Sequence, residues 1–124
     1  MSKPILQLLA LVALALALSD AAAADMPQTS NGITTIHLDQ YNGFFSAQET
    51  LAGLKPGIYD VVVTNKAGKT AGFQIQSGQT HAQLDMFPLD PGSTRTSRVK
   101  ITGEGFRYRC PINPTPWYEV GVSG

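Results

Sequence analysis

The chain has 124 residues, with nine Lys/Arg balanced by nine Asp/Glu, and with one Cys and one Trp. That length suits a single domain around one core, and zero net charge gives no general pull towards nucleic acid or an anionic membrane. A single cysteine rules out an internal disulfide.

Residues 1–24 read as a signal peptide. Lys3 supplies a positive start, and residues 5–18, ILQLLALVALALAL, form an apolar run of 14 residues. As a helix this run spans only about 21 Å, short of the ~30 Å hydrocarbon core of a bilayer. Ser19 and Asp20 break it, and the alanines at 21–24 offer the small-x-small pattern that precedes cleavage. Cleavage is expected after Ala24, leaving no membrane anchor; a retained anchor is the rival reading. The expected location is therefore periplasmic or secreted.

Residues 25–32, DMPQTSNG, are polar and turn-rich and read as a flexible lead into a domain over residues 33–124. From there the apolar period is two rather than 3.6. Ile36 and Leu38 oppose His37 and Asp39; Tyr59, Val61 and Val63 oppose Asp60 and Thr64. Phe73 and Ile75 oppose Gln74 and Gln76, Val99 and Ile101 oppose Arg98 and Lys100, and Phe106, Tyr108 and Cys110 oppose Arg107 and Arg109. Residues 117–122 supply a last strand. SAQETLAGL, residues 46–54, reads as loop or irregular strand, with a helical turn as the alternative.

Turn signals separate these runs at Lys55-Pro56-Gly57, at residues 65–68, at Ser77-Gly78, at Asp90-Pro91-Gly92 and at residues 102–105. Six or seven short strands without a long helix predict an antiparallel β-sandwich.

Three segments resemble the cupredoxin-like family, in the broad sense that includes the cupredoxin-like domains of periplasmic iron-uptake proteins. Residues 54–75, LKPGIYDVVVTNKAGKTAGFQI, are similar to a strand running into an Asn-containing turn and then a phenylalanine strand. Residues 89–101, LDPGSTRTSRVKI, are similar to the Pro-Gly turn and Thr/Ser-rich strand before the last hairpin. Residues 104–114, EGFRYRCPINP, are similar to the Cys-Pro run that carries the copper cysteine. The resemblance implies a Greek-key sandwich. A transthyretin-like carrier module is the rival fold, because GLKPGIY, residues 53–59, also suits it.

A type 1 copper site holds two imidazoles and a thiolate in a trigonal plane, with a weak axial ligand. The resemblance puts the first histidine at Ala71, the second at Asn113, and the axial methionine near Pro116, Trp117 and Tyr118. Only Cys110 has a donor of the expected kind. The cofactor expectation is therefore none, with copper as the metal if a site exists. A rebuilt site would draw on Cys110, His81, Met86 and His37, since imidazole and thioether both suit copper. The plainer reading makes His37 and His81 surface residues, Met86 a core residue, and Cys110 a small buried hydrophobe.

Trp, Tyr and Arg dominate binding hot spots, so Trp117, Tyr118, Arg107 and Arg109 form a candidate surface for a periplasmic protein partner in transport or redox chemistry. Alternatively Trp117 and Tyr118 cap the open end of the sandwich. No nucleophile elbow, zinc-protease run or phosphate-cradling loop is present, so enzyme activity is not expected. The functional expectation is an exported accessory or binding protein; the alternative is a copper-binding or electron-transfer protein that uses Cys110 and a histidine. Carbohydrate binding by Gln- and Thr-rich outer faces stays open, because fold alone does not set function.

Overall fold

A computed structural model describes residues 25–123; the expected signal peptide over residues 1–24 lies outside the described residues. Nine strands follow in order: β1 (Gln28–Ser30), β2 (Ile33–Tyr41), β3 (Phe44–Ala47), β4 (Gly57–Asn65), β5 (Ala71–Ser77), β6 (Gln83–Leu89), β7 (Thr94–Ile101), β8 (Phe106–Arg109) and β9 (Tyr118–Val120). They build two sheets. One runs β1-β2-β4-β7, with β3 also on β2; the other runs β6-β5-β8-β9.

The period-two pattern decides what lies between the sheets. From the first sheet come Ile36 and Leu38, Tyr59, Val61 and Val63, and Val99 and Ile101. From the second come Ala71, Phe73 and Ile75, Phe87 and Leu89, and Phe106, Tyr108 and Cys110. Phe45 of β3 crosses the gap, its ring meeting Phe73, Tyr108 and Tyr118 edge-on at 6.1, 5.2 and 5.7 Å. The result is an all-β sandwich with one aromatic core.

The pairing differs from the expected all-antiparallel arrangement at one place. β2 and β4 are parallel, with Ile33 opposite Ile58 and Gln40 opposite Asn65. A parallel pair needs a crossover of a dozen residues or so. The 15 residues between Tyr41 and Gly57 provide it. β3 folds back on β2, and the loop after it returns the chain to the start of β4. That loop is not helical. It is tied to β2 by the Gln48 N–H to the His37 carbonyl at 2.9 Å and by Glu49, whose carboxylate accepts the His37 N–H at 2.7 Å and meets its Nδ1 at 2.6 Å.

Residues 25–32, expected to be flexible, contain β1. Asn31 and Gly32 both take positive φ, 54° and 77°, which makes the tight hairpin turn that Asn-Gly favours. β6 is a further strand, one that the alternation of apolar residues does not predict. It lies at the edge of its sheet, where Pro88 removes no needed ladder bond. Ser97 of β7 donates to Asp85 of β6 at 2.6 Å. This bond joins the edge strands of the two sheets, while Phe45 and Tyr118 close the opposite side.

Candidate functional site

The chain leaves β8 through Cys110 into the loop PINPTP. Thr115 shapes that loop from inside: its Oγ1 accepts the Cys110 N–H at 3.2 Å and donates to the Pro116 carbonyl at 2.9 Å. The cysteine is fully buried, at 0% exposure. Its Sγ accepts the N–H of Gly72 at 3.4 Å and that of Asn113 at 3.3 Å. Ala71, buried at the start of β5, precedes one of these donors, and Asn113 is the other. The two positions to which the resemblance assigns histidines thus come close to the sulfur.

The side chains at those positions do not fit a type 1 centre. Ala71 has no donor atom. The Asn113 amide turns towards the Thr70 carbonyl at 3.5 Å. The sulfur accepts two backbone N–H groups and is packed in the core.

The other proposed donors lie elsewhere. His37 is on the outer face of the first sheet, paired with Glu49. His81 lies in the β5–β6 turn with φ 61°. Gly72, beside the sulfur, and the turn lie at opposite ends of β5, separated by about 17 Å at strand rise. Met86 is exposed on the outer face of β6, so it is not the core residue of the plainer reading. Among the described residues, no group of three or more His, Cys, Asp or Glu comes within reach of one metal ion. The rebuilt site of Cys110 with His37 or His81 is not formed in this arrangement.

The second candidate does assemble. Arg107 and Arg109 leave β8 on its outer face, and both guanidinium groups lie over the Trp117 ring, with Cζ 3.9 and 4.4 Å from its centre. Contacts of this kind contribute about 0.5–2 kcal/mol each. Gln76 Oε1 accepts from Arg107 Nε at 3.0 Å and Nη2 at 2.8 Å. Gln74 Oε1 accepts from Arg109 Nε at 3.0 Å, and its amide donates to Gln83 Oε1 at 2.8 Å. The cluster is a side-chain network across β6, β5 and β8, with Trp117 laid over it.

Tyr118 is not part of this surface. Consecutive residues of an extended chain point to opposite faces, so Tyr118 turns inward where Trp117 turns outward. Its ring stacks on Tyr108 at 5.1 Å and 7°, and its hydroxyl accepts the Phe45 N–H at 3.1 Å. Burial among these rings, with Tyr118 as a smaller influence, pushes the Tyr108 hydroxyl up to about 12. Burial likewise raises Tyr59, opposed by its bond to the Lys55 carbonyl.

Sequence reasoning missed Gln74, Gln76 and Thr115 as partners of these sites. The alternation in GFQIQS did put both glutamines on an outer face, but nothing local signals that β5 lies beside β8.

Compared with known protein families and with characterised proteins, the chain matches none.

Proposed function

We propose that the protein is an exported accessory or binding module that uses a cupredoxin-like sandwich as a scaffold. In this reading Cys110 is a core residue, and Arg107, Arg109 and Trp117 are the contact surface for a periplasmic protein partner. The single observation that carries the reading is the arginine–tryptophan cluster, in which Gln76 and Gln74 fix Arg107 and Arg109 and both guanidinium groups lie over the Trp117 ring. Fixing long side chains before contact lowers the entropy cost of binding.

The donor set around the cysteine supports a scaffold role. Its neighbours are an alanine, two backbone amides and an asparagine that faces away. An electron-transfer copper site would need imidazoles placed to bind the same metal as the sulfur, whereas His37 lies on the outer face of the first sheet and His81 in the β5–β6 turn. No enzyme activity is part of the proposal.

The test is crosslinking in intact cells of the source organism, with the tagged chain followed by cell fractionation. The tagged chain is expected in the exported fraction, in a discrete adduct that Trp117→Ala abolishes without loss of the fold. Retention in the cytoplasm, or an adduct unchanged by Trp117→Ala, would contradict the reading.

A further inference from the structure

We propose that the outer face of the β6-β5-β8-β9 sheet takes an extended, acidic segment of a partner protein, whose carboxylates bind Arg107 and Arg109 while its apolar side chains rest on the flanks. The proposal rests on the binding-module reading and names the chemistry of its partner.

Charge is the first observation. The ion pairs among the described residues are His37 with Glu49 and Arg98 with Asp60. Neither involves Arg107 or Arg109. Glu119 is opposite Arg107 in the β8–β9 register, yet no ion pair forms between them. Asp85 turns instead to Ser97, and Glu104 to the Thr80 N–H. The two guanidinium groups are therefore held by glutamine oxygens, which accept hydrogen bonds without cancelling charge.

Geometry is the second. Each guanidinium keeps N–H groups that Gln74 and Gln76 do not use. The planar fork of arginine matches a carboxylate better than it matches a neutral hydroxyl. Both groups lie over one indole ring, so the two charges are close neighbours. Alternate side chains of an extended peptide, about 6.8 Å apart, present carboxylates on a similar scale.

The third observation selects polypeptide over an acidic polysaccharide. Met86, opposite Gln74 on β6, is 51% exposed. Ile112 is 50% exposed and lies over Gly72, the next outward position of β5 before Gln74. A ligand that fills the whole face needs apolar groups beside its acids. A charged glycan lacks them, whereas an acidic-apolar peptide has both.

The experiment measures fluorescence anisotropy with three probes: a labelled heptapeptide of alternating glutamate and leucine, its glutamine-for-glutamate counterpart, and labelled polygalacturonate. The acidic peptide should bind at least tenfold more tightly than the other two, and more weakly as salt rises. The double variant Arg107→Gln/Arg109→Gln should lose about tenfold or more, and Arg107→Lys/Arg109→Lys, which keeps the charge, should fall between. Equal binding of the acidic and neutral peptides, or a preference for polygalacturonate, would overturn the proposal. A crosslinked adduct lost in Trp117→Ala but unchanged in the Arg→Gln double variant would overturn the acidic partner and leave the binding module standing. An adduct indifferent to all three residues would overturn both.

Discussion

Gln40 is the least comfortable side chain of the core. It projects inward from β2 at 1% exposure, and neither its amide nitrogen nor its oxygen has a hydrogen-bond partner among the described residues. A buried amide without partners costs about 1–3 kcal/mol. Gln40→Leu is therefore expected to raise the midpoint of thermal unfolding by several degrees, since about 1 kcal/mol moves a domain of this size by about 4–8 °C. Calorimetry checks this, and a lower midpoint would mean that the amide has an unrecognised role. Tyr108 makes a second prediction at the same scale. Its folded-state value of about 12 lies above the ordinary tyrosine value of about 10, so it favours folding fully below about pH 10, and that contribution is lost as pH rises from there through about 12. Two units correspond to roughly 2–3 kcal/mol. Denaturant titrations should show stability falling over this range, and the fall should be shallower in Tyr108→Phe.

Among the elements, the hairpins depend on close backbone approaches. Gly105 takes φ 75° before β8, and a Cβ there would lie 2.4 Å from the Val120 carbonyl oxygen of β9. Gly105→Ala is thus strained in conformation and obstructed in space. It should cost at least about 2 kcal/mol, measurable by denaturant unfolding; a cost below 0.5 kcal/mol, on the order of an ordinary surface change, would contradict the packing of β9. The strands differ in how plainly they are written in the chain. β2, β4, β5, β7 and β8 alternate apolar and polar residues over several positions, and that alternation is what buries one face. β1 has no apolar residue to alternate, so only its Asn31-Gly32 turn marks it. β6 carries Asp85 and Pro88, which an edge strand tolerates and a central strand does not. The parallel pairing of β2 with β4 leaves no trace in periodicity, because alternation says which face is buried and not which neighbour is beside it. The same gap explains the site. Arg107 and Arg109 were legible as an outward pair, but their glutamine partners come from a strand 31 to 35 positions away. Adjacency groups Tyr118 with Trp117, although neighbours on an extended chain point to opposite faces.

For the whole molecule, one domain divides its chemistry between its interior and one outer face. The interior holds the only thiol, sealed between the sheets with its lone pairs facing two backbone amides. The outer face of the second sheet holds two arginines, bonded by glutamines, and the only tryptophan, and among the described residues neither arginine forms an ion pair. The functional reading follows from that division: the cysteine supports the fold, and the arginine–tryptophan face meets a partner. The most direct measurement is copper titration of the chain from residue 25 onward, followed by visible absorption and by intact-complex mass spectrometry. The reading predicts no one-to-one complex and no intense thiolate-to-copper band. A single bound copper with such a band, lost in Cys110→Ser, would contradict it and make Cys110 a metal ligand.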